Sequence, residues 1–171
     1  MVMIYVMTIT GAPLKTAATP HGILDLEFAY NNERTNTVLT AWSASGPDGL
    51  VATAQYNTRL DFIFLFFYAI FLSLAAKAIG RSFGGKFGQA GRAVAKAALL
   101  AGFLDVLENT GMLLTLSGHG NGSISFITSS CSVIKWVLAL MALLYVLTGT
   151  VTMVRVYIRK KRRTGMRSFG P

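Results

Sequence analysis

Asp105, Glu108 and Asn109 occur together in the run Leu104-Asp105-Val106-Leu107-Glu108-Asn109, with apolar residues on both sides. Two carboxyls one helical turn apart have three chemistries open to them. They can clamp helices by pairing with a cation or amide, hold a proton, cation or polar ligand, or act as general acid and base on a substrate. At about 100° per residue, Ala98, Ala101, Gly102, Glu108, Asn109 and Met112 fall within about 60° of Asp105, while Leu100, Phe103, Leu107 and Leu114 lie opposite. One side is small and polar, the other bulky and apolar. A membrane helix with one packed face and one lipid face has this division.

Two other segments offer partners. On Val133–Val154, Lys135 shares a face with Ala139, Ala142, Val146, Gly149 and Met153; on Leu60–Ile79, Asp61 aligns with Leu65, Tyr68, Leu72 and Ala75, with Phe62, Ile63, Phe66 and Ile70 looking outward. Tyr68 and Glu108 each lie about eight residues, roughly 12 Å, from the outer end of their segments. Asp61, Tyr68, Asp105, Glu108, Asn109 and Lys135 are therefore expected to converge in one buried polar cluster. A charge within a span costs at least about 3 kcal/mol on insertion scales, so Asp105 and Glu108 require compensation, from Lys135, Asn109 or Tyr68 or by protonation. Lys135, followed by Trp136, has a plainer reading as an anchor reaching for the headgroups, but its place on the small-residue face favours an inward role.

The elements that must position these groups are three apolar runs, 60–79, 94–116 and 133–154, each long enough for the roughly 30 Å of a hydrocarbon core. Of 171 residues, 53% are hydrophobic and only 13% charged, with a mean hydropathy of +0.52. Buried helices of a soluble bundle would carry charged stripes, which the first and third runs lack. The expected fold is an all-α, polytopic membrane helix bundle of three transmembrane helices, 60–158, preceded by an external or interfacial segment, 1–59, and followed by a basic tail, 159–171.

Charge sets the expected topology. The net charge is +9 and the pI about 10.1. The cations gather beside the apolar runs, which points to a membrane surface and away from nucleic acid. Lys77, Arg81, Lys86, Arg92 and Lys96 surround the first connection, and Arg155, Arg159, Lys160, Lys161, Arg162, Arg163 and Arg167 follow the third run, all without an acid. Positive residues stay inside, so the N-terminal segment is expected outside and the tail in the cytoplasm, in the cell's inner (plasma) membrane. Arg159, Lys160, Lys161, Arg162 and Arg163 are expected to contact anionic lipid, at about 1 kcal/mol per basic residue near the surface, besides enforcing topology.

An N-terminal segment outside needs a means of translocation. Met1–Ile9 is apolar but too short to span and has no basic flank. It either marks a start that has lost a fourth spanning helix or packs against the bundle or at the interface. Thr19-Pro20 reads as cap and first turn of a helix through Tyr30, with Asp25 and Glu27 near its positive end. A second amphipathic stretch covers about Thr35 to Trp42, before the turn cluster Ser43-Ala44-Ser45-Gly46-Pro47-Asp48-Gly49. Both helices are expected on the outer membrane surface, with Trp42 and Tyr30 at headgroup level.

Other motifs carry less. Gly80-Arg81-Ser82-Phe83-Gly84-Gly85-Lys86-Phe87-Gly88 fails as a phosphate loop, because Phe87 follows the lysine and no strand precedes it. The Gly80/Gly84/Gly88 spacing lies outside the apolar core. Asn121-Gly122-Ser123 fits a glycosylation acceptor. Cys131 is the one cysteine, which excludes an intrachain disulfide, and His21 and His119 lack neighbouring ligands. No metal and no cofactor is expected.

Thr19-Pro20-His21-Gly22-Ile23, Asn57-Thr58-Arg59-Leu60-Asp61-Phe62 and the LDxxEN-type run at Leu104–Asn109 resemble small uncharacterised bacterial multi-pass membrane proteins, over about Thr19 to Gly149. Such proteins usually have a first spanning helix that this chain lacks, and no activity comes across from the resemblance. The expected function is that of an integral membrane protein, structural or ligand-binding, in contact with membrane lipids and open to self-association or to a membrane partner. The alternatives are an intramembrane enzyme acting on a lipid or isoprenoid and a proton- or cation-coupled transporter acting as an oligomer.

Overall fold

The computed structural model describes residues 2–45 and 49–167, with side chains described for residues 5–45 and 49–159. Every regular element among them is helical: α1 (Val2–Gly11), α2 (Ile23–Glu27), α3 (Asn32–Ser43), α4 (Val51–Ser82), α5 (Gly85–Leu114) and α6 (Gly122–Arg167). A short 3-10 turn, Ala12–Leu14, follows α1, and a π turn, Thr115–His119, continues α5. Three helices are long and apolar enough to cross a membrane, α4, α5 with its π turn, and α6. The chain is an all-α membrane bundle.

Connections of a few residues make α4, α5 and α6 run up, down and up. Gly85 (φ 65°) and Gly118 (φ 82°) take the left-handed conformation that each reversal needs. Asn121 Oδ1 then accepts from Ile124 N at 3.0 Å, which caps the first turn of α6. The middle helix α5 packs against both neighbours, while α4 and α6 meet over a shorter stretch.

Small residues determine how close the helices come. A Cβ on Gly102 would stand 2.6 Å from that of Ala69, and one on Gly91 would stand 2.7 Å from both Gly80 Cα and Tyr145 Oη. Gly149 likewise receives Ile79. With no hydrophobic drive between helices inside a bilayer, close backbone approach and dispersion are what hold them. Leu72, Ala76, Ile79, Ala95, Ala98, Ala142, Tyr145 and Val146 fill the bundle toward the α4–α5 turn. Tyr145 donates to Phe87 O at 3.0 Å and stacks on the Phe87 ring. Gly80 and Gly88 of the glycine-rich segment serve this contact within the chain. Phe66, Phe71, Leu100, Phe103, Leu144 and Leu147 are exposed on the outer surface, where lipid chains lie.

The first three helices form a cap over the opposite end. Their core is Leu14, Leu26, Val38 and Trp42, closed against Ala54 of α4, Met112 of α5 and Leu116 of the π turn. Trp42, expected at headgroup level, is fully buried; its Nε1 donates to Leu14 O and Thr19 Oγ1, both at 3.1 Å. The largest apolar side chain of α3 is better used filling the cap than wetting its surface. Tyr30 does stay half exposed, beneath the Arg34 guanidinium.

The expected helix from Thr19 to Tyr30 shrinks to five residues. Gly22 (φ 66°) interrupts it, and the Thr19 hydroxyl donates to Leu14 O instead of capping the helix. Asp25 Oδ2 accepts from His21 N at 2.8 Å, ahead of that short helix. α3 starts at Asn32, earlier than Thr35, because Asn31 Oδ1 accepts from Arg34 N at 2.9 Å. Neither helix lies apart from the bundle. Thr35 bonds Ser125 at 2.8 Å, and Ser129 donates to Glu27 O at 2.7 Å. α1 packs on α4, where Asn57 Nδ2 donates to Met7 O and Thr10 Oγ1.

α4 and α6 outrun the apolar runs 60–79 and 133–154, and α5 starts ahead of 94–116 and leaves its last two residues to the π turn. Residues 51–59 of α4 support the cap, and α6 starts at Gly122 to meet α2 and α3. Within the basic tail Arg159 is exposed; the side chains of Lys160, Lys161, Arg162 and Arg163, and Gly46, Pro47 and Asp48 of the turn cluster, lie outside the described residues.

The glycine contacts make a prediction. Gly91→Ala must push apart the backbones of α4 and α5, and should lower stability by about 1–3 kcal/mol, as overpacking does. Leu100→Ala on the lipid-facing surface should leave it nearly unchanged. Thermal unfolding in detergent, followed by circular dichroism, compares the two.

Candidate functional site

α5 presents Asp105, Glu108 and Asn109 inward, each no more than 2% exposed. The spacing of three and four residues puts them on the face that also carries Ala98, Ala101, Gly102 and Met112, all buried. Lys135 of α6 turns into the bundle, 6% exposed, and does not reach for the surface. Its Nζ donates to Asp105 Oδ1 at 2.7 Å and to Glu108 Oε1 at 2.8 Å. α4 supplies two more bonds: Tyr68 Oη donates to Asp105 Oδ2 at 2.8 Å, and Asn109 Nδ2 donates to Asp61 Oδ2 at 2.8 Å. The six residues expected to converge are thus linked into two adjoining networks. The larger one, Tyr68–Asp105–Lys135–Glu108, crosses all three spanning helices.

A seventh residue joins them from the cap. Glu27, at the end of α2, is 8% exposed, with Oε2 3.8 Å from Lys135 Nζ. The same oxygen accepts from Ser132 Oγ at 3.2 Å and Trp136 Nε1 at 3.4 Å. Read as an acid at the positive end of an external helix, Glu27 had no assigned place in the cluster. A signal was present on its partner: Ser129, Ser132 and Lys135 follow one another at three-residue spacing, a polar stripe on α6 that needs something polar opposite.

The electrostatics are unequal. Three carboxyl groups, Glu27, Asp105 and Glu108, stand around one ammonium, and a fourth, Asp61, adjoins them through Asn109. Lys135 is engaged by Asp105 and Glu108, and among the described residues no third acceptor lies within hydrogen-bond distance, Glu27 standing at 3.8 Å. Asp105 uses both oxygens. Glu108 Oε2 is buried with no partner among the described residues. Asp61 and Glu27 each have one oxygen to which no described residue donates.

Beside the network lies a cavity of about 910 Å³. Glu27, Asp61, Tyr68, Asp105, Asn109 and Lys135 stand on its wall, and Glu108 does not. Asn57 and Thr58 also line it, their donors committed to Met7, Thr10 and Ala54, as does Trp136; the rest is apolar: Phe64, Phe67, Phe71 and Leu72 from α4, Ala139, Leu140 and Leu143 from α6, Met112 from α5, and Met7 and Ile23 from the cap. Phe67, Phe71, Leu140 and Leu143 are between 42% and 64% exposed, so the cavity has its rim on the lipid-facing surface between α4 and α6. Among the described residues no group of three His, Cys, Asp or Glu side chains is placed to hold a metal ion. His119 is exposed, His21 pairs with Asp25 at 3.2 Å, and Cys131 is buried as a packed thiol.

Removing the cation tests the balance of this network. Lys135→Met leaves buried carboxylates without their counter-charge, and the loss of one partner of such a pair costs about 3–5 kcal/mol. Chemical unfolding in mixed micelles should show that loss, and combining the change with Asp105→Asn and Glu108→Gln should recover at least half of it. No family model, curated protein or solved structure matches the chain.

Proposed function

We propose that this membrane protein binds an amphiphilic, lipid-like molecule, with its chain in the cleft between α4 and α6 and its polar group at the carboxyl-rich end. One observation carries the reading: a single cavity joins an apolar, aromatic slot open to the lipid surface with a wall of buried polar groups. On α4 its wall runs from Asn57 to Leu72, about 22 Å at 1.5 Å per residue, enough for the chain and head of a molecule lying in one leaflet. A molecule can enter sideways without leaving the membrane.

Two features favour binding over catalysis. Asp105 and Glu108, the pair first considered as acid and base, do not both face the cavity: Glu108 lies behind Lys135, and Asp105 has both oxygens bonded. A general acid or base must come within hydrogen-bond reach of the group it serves. Toward the α4–α5 turn the bundle is filled by the core around Ala76, Ala98 and Tyr145, so the cavity serves one half of the bundle. That filling favours a binding protein over a conduit through one chain.

The remaining assignments belong to the same proposal. With Lys77, Arg81, Lys86, Arg92, Lys96, Arg155 and Arg159 exposed toward one end, that end faces the cytoplasm and meets anionic lipid, together with the rest of the basic tail. The cap and the site then belong to the outer leaflet of a plasma membrane.

The test is native mass spectrometry of detergent-purified protein incubated with a membrane lipid extract. One bound amphiphile per chain is expected. Ala139→Phe, which puts a ring into the slot without touching the polar network, should abolish the adduct. A wild-type protein without any adduct, or an Ala139→Phe variant that keeps one, overturns the reading.

A further inference from the structure

The cavity wall contains its own indication of which polar group it takes. Lipid tails are as apolar as leucine, so moving a chain from the bilayer into the slot gains little by itself. Discrimination among amphiphiles must come from the head. The wall is rich in acceptors and poor in donors. Tyr68 Oη is committed to Asp105, Asn109 Nδ2 bonds Asp61, and Lys135 is held at 2.7 and 2.8 Å by Asp105 and Glu108. What remains is Glu27, nine-tenths buried, with Oε1 unpartnered among the described residues, and Asp61, with Oδ1 unpartnered. Lys135, the one lysine or arginine on the wall among the described residues, is already paired with two carboxyl groups. Both acids lie on the wall beside the rings of Phe64, Tyr68 and Trp136, and aromatic faces attract ammonium groups.

Resting on the reading that the cleft binds an amphiphile, we infer that the head it selects is a cation of the ammonium class, received by Glu27 and Asp61. A phosphate or carboxylate head would meet two unpaired carboxyls, and the one unused proton on the wall belongs to a lysine already held by two carboxylates. A hydroxyl head could donate but would leave the negative charge uncompensated. An ammonium group supplies the missing charge and lies against aromatic rings.

Trp136 gives a direct readout, since it stands on the wall and the protein's other tryptophan, Trp42, is buried in the cap core. The full chain in dodecyl maltoside micelles, whose heads carry no ammonium group, is titrated with hexadecyl chains bearing a nitroxide quencher and a trimethylammonium, phosphate or diol head. Trp136→Phe subtracts the Trp42 signal. The ammonium probe should half-quench Trp136 at a concentration about tenfold below that of the other two, a difference of about 1.4 kcal/mol. The double variant Glu27→Gln, Asp61→Asn should lose most of that preference while still binding the chain. Glu27→Gln, outside the spans and still able to accept from Ser132 and Trp136, carries the test where the double variant does not fold. Equal or tighter binding of phosphate or diol overturns the inference, as does a preference that survives loss of the acids. Quenching by none of the three probes, with Ala139→Phe indistinguishable from wild type, instead overturns the amphiphile reading beneath it.

Discussion

An ammonium group held between two carboxylates inside an apolar bundle is the constraint around which this molecule is arranged. In water such a pair is worth little, because solvent screens it and each partner is well solvated alone. In a bilayer neither partner has that option. Once α5 carries Asp105 and Glu108 at mid-span, a cation must stand opposite, and Lys135 at 2.7 and 2.8 Å fixes the rotation and height of α6 against α5. Tyr68 and Asn109 do the same for α4 through Asp105 and Asp61. These bonds have direction, and small-residue packing does not. Gly102 against Ala69 allows close approach, but it cannot by itself select one register.

The same network explains why the cap is not a loose appendage. Glu27 reaches the Lys135 region from α2, and Ser129, Ser132 and Trp136 hold it there. The cap is thereby tied to the spanning helices by polar bonds as well as by the Leu14–Trp42 core. α4 and α6 meet each other over a shorter stretch than either meets α5, and the space between them, beside the polar networks, becomes the cleft. Architecture and candidate site share one cause, a carboxyl-rich face on the middle helix that its neighbours must serve.

Much of this is legible in the sequence, for identifiable reasons. Periodicity separates Asp105, Glu108 and Asn109 from Leu100, Phe103 and Leu107, because a helix between packed and lipid surfaces must be two-faced. Counting residues from the span ends brings Tyr68 to the depth of Glu108, since rise per residue is fixed, and the shared small-residue face turns Lys135 inward. The cap was much less legible. Thr19-Pro20 carries a helix-start signal that tertiary structure overrides: the Thr19 hydroxyl is used by Leu14 and Trp42, and Gly22 takes a left-handed conformation. Trp42 looks like an interface anchor by residue type, and only the packing of Leu14, Leu26 and Val38 makes it core. Glu27 was lost for the same reason, as its partner is more than a hundred residues away and no local pattern on α2 announces it. The cleft was not legible at all, since it depends on how far apart α4 and α6 stand.

The central claim is that this cleft holds an amphiphile whose head meets Glu27 and Asp61. A density map of the protein in lipid nanodiscs tests it most directly. Elongated density is expected between α4 and α6, running past Phe71 and Leu143 and ending in a head at Glu27 and Asp61, with Lys135 still between Asp105 and Glu108. Phe67 and Leu140 closed against each other over a filled slot, with no such density, would contradict it.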